Sequence, residues 1–444
     1  MSTAAAPVAT LPADQLLTFL LQVGLLLALA VGLGRLARRL GMPAIVGELC
    51  AGVLLGPSVA DHLFPGFTDW LLPKDPAQFH LLDAAAQLGV LLLVGVTGVQ
   101  LDLGLVRRRG VTAVKVSLFG LIVPLALGVG AGLLLPASLL GDGADRHVFA
   151  FFLGVAMCVS AIPVIAKTLM DMGLLHRNIG QLTLAAGMFD DAVGWLLLSI
   201  VSAMATVGVT TGTVAASIGH LVLVLVAAAA LRPVLRRLLR ATGDETGLTV
   251  SVMVVVMILS AAATHALKLE AIFGAFVAGA VMATTGEITA ARLAPLRTMV
   301  LYVLAPLFFA TAGLRMDLTA LTDSSVLGAA FAILAIAIIG KFAGAFVGAA
   351  LSRLDKWEAL ALGAGMNARG VVEVVVAMVG LRLGILTTAT YTIVVLVAIV
   401  TSLMAPPLLR HAMRRVELTA EEEIREQTFA VDPEPVASDR KGAE

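Results

Sequence analysis

The chain has 444 residues, 59% of them hydrophobic and only 14% charged, with a formal net charge of zero. Soluble domains carry roughly 25% charged residues, so this composition excludes an ordinary soluble domain, and the balanced charge argues for no nucleic-acid partner. The only two cysteines, Cys50 and Cys158, fall in apolar runs and make no disulfide framework.

The first dozen residues, MSTAAAPVATLP, lack a basic n-region, so no cleavable signal peptide is expected. Apolar runs long enough to cross a core about 30 Å thick then recur to the end of the chain. Thirteen spans are predicted, at 14–36, 43–59, 81–103, 111–135, 148–171, 178–206, 212–235, 247–267, 270–285, 296–314, 325–352, 357–381 and 388–410. Charges and chain breakers such as "GRLARRLG", "LLPASLLGDGADR" and "LRPVLRRLLRATGDE" mark their ends. The fold class is therefore an all-α polytopic membrane protein, with the lipid bilayer as its solvent.

Lysine and arginine set the orientation. With the N-terminus outside, alternate loops gather the basic residues on the cytoplasmic side: Arg35, Arg38 and Arg39; Arg107, Arg108 and Arg109; Lys167 and Arg177; Arg232, Arg236, Arg237 and Arg240; Arg292 and Arg297; Arg353 and Lys356; Arg410, Arg414 and Arg415. The outer loops keep Lys74, Arg146, Lys268, Arg315 and Arg382. An odd number of spans then places the C-terminus inside, at the plasma membrane.

The two halves echo each other. "AIVGELCAGVLLG" (44–56) aligns with "AIFGAFVAGAVMA" (271–283), and "GVTGVQLDL" (95–103) with "ATAGLRMDL" (310–318). The second pair ends on opposite sides, inner for Asp102 and outer for Asp317, as an inverted repeat requires. The expected layout is an outer N-terminus (1–13), a membrane domain (14–412) and an acidic tail (413–444). Within the membrane domain, repeat one covers 14–206, a connector 212–235 and repeat two 247–412. From about Val416 the tail is poor in apolar residues and is expected to be a short helix and a disordered end. No Gly-rich nucleotide-binding unit is seen after the membrane part, so removal of the residues after Val416 is expected to leave transport intact.

The fifth span of one half should match the twelfth of the other, and both are interrupted. "VAMCVSAIPVIAKTLMDMG" holds Pro163, which removes a backbone donor and clashes with the preceding turn. "LGAGMNARGVVEVVVAMVG" holds Asn367, Arg369, Gly370 and Glu373 in mid-run. Paired broken helices in a bilayer point to a midplane binding site; a proline kink plus a polar helix end is the plainer alternative.

In "AAGMFDDAVGWLLLS" (185–199), Asp190 and Asp191 sit side by side. Each costs about 2.5–3.5 kcal/mol at a span centre, so a partner, protons or hydration must offset them. Lys341, in "AIIGKFAGAFVG", is the mid-span lysine of the second half, beside a stripe of Gly340, Gly344 and Gly348 that lets a neighbouring helix come close. Adjacent helical residues project about 100° apart. One aspartate can thus face Lys341 while the other faces a cavity and holds a proton or a small cation, one excluding the other. A buried structural pair is the alternative. Arg369 and Glu373 are spaced to pair with each other, or to line the path; Glu48 can line a path or pack at a helix end. His220 and His265 lie near span ends and read as interfacial. No metal-ligand cluster or nucleophile–base spacing suggests an enzyme, no cofactor is implied, and no repeated filter sequence suggests a channel, although a gated cation channel is the alternative from another class.

Taken together, "VGELCAGVLLGPS", "SAIPVIAKTL", "FDDAVGWLLL", "APLFFATAGLRMDL", "KFAGAFVGA" and "MNARGVVEVVVAMVGLRLGIL" resemble the monovalent cation:proton antiporter superfamily, in the branch of Kef-type and plant cation/proton exchangers. The resemblance covers residues 14–412. It implies inverted six-helix repeats with two crossing broken helices, and a core domain that moves elevator-like against a dimerised scaffold. It implies that Asp191 is the ion- and proton-binding aspartate. Asp190 stands where electrogenic sodium/proton exchangers have Asp, many electroneutral ones Asn, and Kef proteins Gln. Lys341 matches the lysine that pairs with this first aspartate. Ser160 stands where the family has Thr in the unwound segment, beside Pro163. The expected function is Na⁺/H⁺ antiport, electrogenic, by a homodimer, with K⁺/H⁺ antiport as the alternative; Kef proteins carry a C-terminal nucleotide-binding regulator, and none is seen here.

Overall fold

A chain in lipid must satisfy its own backbone polar groups, and for an open chain only the helix does so. The computed structural model is accordingly almost wholly helical. It describes residues 11–72, 76–101, 103–207 and 211–423. Lys74 and Asp102, used above, lie outside the described residues.

The first half comprises α1 (Ala13–Arg39), α2 (Ala44–Leu55), the short α3 (Ala60–Leu63) and α4 (Pro65–Leu71), α5 (Pro76–Val99), α6 (Leu103–Leu134), α7 (Arg146–Cys158), α8 (Ile162–Asp171) and α9 (Asn178–Val207). After α10 (Thr211–Ala241) follow α11 (Thr246–Ala266), α12 (Ala271–Ala283), α13 (Ala290–Met299), α14 (Ala305–Gly313), α15 (Ser324–Leu351), α16 (Lys356–Met366), α17 (Val371–Arg382) and α18 (Thr388–Met413). Each of the thirteen expected segments coincides with helix over most of its described residues. Among the described residues, nine helices are long and apolar enough to cross a bilayer, or ten with the bent α16–α17 pair. The other expected segments are the broken pair α7–α8, the 31-residue α10 and the 13-residue α12. A straight 13-residue helix rises only about 20 Å, short of the bilayer core.

Two bundles form. One contains α1, α2, α5, α11, α12 and α14; the other contains α6, α7–α8, α9, α15, α16–α17 and α18. The repeated motifs meet inside the first bundle. A Cβ added to Gly313 of α14 would lie 3.1 Å from the Cα of Gly52 on α2, and one on Gly98 of α5 would lie 3.2 Å from the Cα of Gly279 on α12. Gly52 and Gly279 are equivalent in the first repeated motif, as are Gly98 and Gly313 in the second. The two crossings are therefore the same contact made twice, each between one motif of one half and the other motif of the other half.

The bundles are tied together at the end away from the basic loops. Arg382, closing α17, donates to Glu270 Oε2 at 2.8 Å, ahead of α12. The Tyr391 hydroxyl of α18 donates to the Ala312 carbonyl of α14 at 2.7 Å. Arg315 continues the polar belt through Asp83 of α5 at 2.6 Å, and Gln87 donates to the same carboxylate at 2.8 Å.

At the basic end the tail does more than its composition suggests. Glu422 is 2% exposed. It pairs with Arg177 at 3.2 Å and accepts from the backbone amide of Asn178, the first residue of α9. Arg177 also donates to the carbonyls of Val416 and Glu417. Glu422 thus caps the helix that carries both aspartates, and tail removal is expected to be silent only for residues beyond Glu423. Burial alone would raise the Glu422 carboxyl, but the amides of Asn178 and Thr419 and the Arg177 charge hold it below its ordinary value of 4.5. The contact is therefore fully present at neutral pH and is lost only as pH falls below that range through the lowered value. Glu422→Gln is expected to cost about 1 kcal/mol of local stability, the worth of a helix cap. Amide exchange over the first turn of α9 should rise several-fold, by the same cost; unchanged exchange would show that the cap does not hold the helix.

Candidate functional site

The site is built on two breaks that touch. The helix stops at Cys158 and resumes at Ile162, with Val159 and Ala161 extended between them. Pro163, second in α8, is tolerated there because a first-turn amide has no intrahelical partner. The other break covers 367–370, between α16 and α17. Gly370 adopts φ 145° and ψ −107°, a conformation essentially restricted to glycine. The two helices bend by 47° across it. The Ala161 amide donates to the Ala368 carbonyl at 3.2 Å, so the breaks cross at the level of their unwound residues.

A broken helix exposes carbonyls with no amide to meet them. At the end of α7 two cations take that place. Arg369 donates to the carbonyls of Ala156 at 3.2 Å and Met157 at 2.6 Å, and also to Ala337 of α15 at 3.2 Å. Lys341 donates to the carbonyls of Cys158 at 2.6 Å and Gly120 at 3.0 Å. Both side chains are wholly buried. Positive charge at a helix C-terminus is also favoured by the helix dipole. Arg369 pairs with Glu373 as well, at 3.2 Å. Removing it, as in Arg369→Gln, is expected to leave three carbonyls and a buried carboxylate without a donor. A loss of about 3–5 kcal/mol should appear as a lower melting temperature in detergent; an unchanged value would mean that these contacts do not hold the crossing together.

Lys341 spends its third proton on Asp190 Oδ2 at 2.8 Å. The glycine stripe beside it determines which helix lies within reach. Cβ atoms added to Gly340 and Gly348 would lie 2.9 Å from the Pro124 Cα and 2.6 Å from the Val116 Cα, both on α6. That close approach delivers Ser117, which donates to Asp190 Oδ1 at 2.6 Å. Ser160, in the first break, donates to Asp190 Oδ2 at 2.7 Å and lies 2.9 Å from the Met366 carbonyl. A hydroxyl has one proton, so it serves one of these acceptors at a time. Asp190 is thus surrounded by a cation and two hydroxyls.

Asp191 is the opposite case. It is 0% exposed, and neither carboxylate oxygen makes a hydrogen bond of ordinary geometry, the backbone amide of Ile162 at the start of α8 being the donor that acts on it. Asn367, also 0% exposed, keeps both amide atoms unpartnered at the second break. Glu373 has one unpartnered oxygen. Glu48 sits apart on α2, with its Cγ and Oε1 packed against Gly34 of α1 in the other bundle. Ser117 was not singled out from the sequence. A helical serine ordinarily bonds its own backbone, and only the α6–α15 approach shows where this one points. Among the described residues no group of His, Cys, Asp or Glu could hold a metal as a resident ion.

These features can be set beside known proteins. The family model described as "Sodium/hydrogen exchanger, transmembrane" matches residues 25–415. The Na⁺/H⁺ antiporter NhaS4 of Synechocystis is 29% identical over 399 residues, covering 89% of this chain and 97% of that protein. Cation/H⁺ antiporter 20 of Arabidopsis thaliana is 29% identical over 412 residues, covering 87% of this chain and 47% of that protein. K⁺/H⁺ antiporter 1 of Saccharomyces cerevisiae is 30% identical over 381 residues, covering 82% and 43%. The chain thus spans about half the length of these plant and yeast relatives. Among solved structures, the sodium proton antiporter MjNhaP1 of Methanocaldococcus jannaschii at pH 8 shares the fold at a TM-score of 0.63 and 14% identity, over 90% of this chain and 97% of that one. With its family model matched across nearly the whole membrane part, this chain belongs to the transmembrane sodium/hydrogen exchanger family.

Proposed function

We propose that this protein is a secondary antiporter that exchanges Na⁺ for H⁺ by alternating access, with Asp191 as the group that holds either ion. The observation that carries the reading is the contrast between neighbours. Asp190 has its three donors, while Asp191 is buried with no hydrogen bond of ordinary geometry to either oxygen. A carboxylate cannot remain charged and unpaired in such a place, so it holds a proton or a cation. The Asn367 amide oxygen, unpartnered at the crossing, is a second acceptor available to a desolvated cation. Ser160 acts through Asp190 in this arrangement.

In this reading the bundle that carries both breaks moves against the bundle that holds the repeated glycine crossings, in a homodimer. The basic loops face the cytoplasm and the Arg382–Glu270 end faces outward, at the plasma membrane. Lys341 makes the exchange electrogenic by supplying a second titrating group. K⁺/H⁺ exchange is the second reading, favoured by the likeness to the yeast K⁺/H⁺ antiporter. Proteoliposomes with an internal pH dye and the voltage clamped separate the two. An imposed Na⁺ gradient is expected to drive proton movement, and an equal K⁺ gradient far less. The reverse order would establish the second reading, and no movement with either ion would remove both.

A further inference from the structure

α9 carries a second feature that exchange at Asp191 does not use. Trp195, Ser199 and Ser202 follow Asp191 at steps of four, four and three residues. Those steps keep all four side chains within one quadrant or so of the helix surface. All four are buried, at 0% for Asp191, 1% for Trp195, 0% for Ser199 and 3% for Ser202. In each, the polar side-chain atoms make no hydrogen bond of ordinary geometry: both Asp191 oxygens, Trp195 Nε1, Ser199 Oγ and Ser202 Oγ. This is not how helical hydroxyls ordinarily end up. Thr206, one turn further on, bonds the Ser202 carbonyl. Buried polar groups are nearly always paired, so four orphans in one stripe need a common explanation.

Their position supplies one. α9 starts beside Arg177 at the basic end and runs toward the opposite end. The stripe therefore leads away from the basic loops, over about 16 Å of helix from Asp191. It faces the other bundle: the Trp195 ring lies 6.3 Å from that of Phe276 on α12. The same end is held shut by the Arg382–Glu270 pair and the Tyr391–Ala312 hydrogen bond. The half-buried Ile200 lies on the other side of the helix.

We infer that this face of α9 is the access route between Asp191 and the side of the membrane opposite the basic loops, wetted when the two bundles part there. The inference rests on the alternating-access reading above. The chemistry suits a hydrated monovalent cation. The serine hydroxyls offer lone pairs to the ion or donors to its water, and the indole N–H can donate only to water. When the bundles close, the orphaned groups lose those partners, which biases the protein toward reopening.

The test is accessibility measured from each side separately. In a chain with Cys50 and Cys158 replaced by Ala, Ser199→Cys, Ser202→Cys and Ile200→Cys are made singly and reconstituted. A membrane-impermeant methanethiosulfonate is then applied from one side at a time. Ser199→Cys and Ser202→Cys are expected to label from the side opposite the basic loops, and Ile200→Cys from neither. Labelling only from the basic side, or at neither serine position in protein that still exchanges cation for protons, would overturn the route. If the cysteine chains lose exchange, Ser199→Ala and Ser202→Ala decide the matter. Each is expected to raise the apparent KM for cation offered from the opposite side about tenfold, one hydrogen-bonding partner to a charged group, with kcat and the KM from the basic side unchanged. Equal changes from both sides would overturn it. Failure of the antiport reading looks different, since wild-type protein would then move no protons under either cation gradient.

Discussion

Asp191→Asn is expected to abolish cation-coupled proton movement while the protein still inserts and folds. The amide matches the carboxylate in shape but can neither carry a titrating proton nor offset a bound cation's charge. Its burial penalty is also smaller than that of a charge, so stability should hold or rise slightly. Exchange in proteoliposomes should drop to the level of empty vesicles. Size-exclusion behaviour and melting temperature in detergent, measured on the same preparation, should match the parent protein. Full proton-coupled transport by this variant would refute the site. The neighbouring change, Asp190→Asn, should behave differently. It removes a charge from contact with Lys341, Ser117 and Ser160, so its first effect should be on stability and coupling.

Lys341→Gln is the second change with a large expected effect, and it tests stoichiometry. In the parent protein Lys341 offsets Asp190 while Asp191 is empty. In the proposed cycle the Asp190–Lys341 pair gives up a proton when a cation arrives at Asp191. One cation would then be exchanged for two protons, and the cycle would move net charge. With Gln at this position Asp190 keeps the Ser117 and Ser160 hydroxyls but has no counter-charge in a dry site, and it is expected to take a proton. Breaking a buried pair costs about 3–5 kcal/mol when the partner stays charged; protonation reduces that, so folded protein is expected at lower yield. Exchange should survive with a shifted pH optimum and a weaker voltage dependence. The measurement is the reversal potential in vesicles holding both gradients. A parent value independent of voltage would show one-for-one exchange and sink this role for Lys341. Loss of the Cys158 and Gly120 carbonyl contacts adds a structural cost that Lys341→Arg should partly restore, without restoring the proton release, since guanidinium does not titrate in this range.

The sequence alone determined the class of the molecule, the run of helices, the internal repeat and the two interruptions. Each is a local or periodic property. A bilayer demands apolar side chains over whole spans, and a proline at 163 or a glycine at 370 acts on its own backbone. The motif pairs were legible because both copies answer the same packing demand, close approach at Gly52 and Gly313 and again at Gly279 and Gly98. That Asp190 and Asp191 point about 100° apart was also legible, from helix geometry. Which of them is held and which is free was decided by the tertiary structure, because the answer depends on neighbours from three other segments: Ser117 on α6, Ser160 in the first break and Lys341 on α15. Arg369 and Glu373 could be read as an i,i+4 pair, and they are one. The larger part of the arginine's work, meeting the carbonyls of Ala156 and Met157, appears only once the two breaks cross. Glu422 shows the same limit at the surface. Its acidic neighbourhood reads as a solvated tail, yet the first amide of α9 and the Arg177 charge hold it in place. Charge and hydropathy patterns report what a segment does by itself. A pairing over more than two hundred residues, as between Arg177 and Glu422, is set by where the helices stop, and that follows from packing.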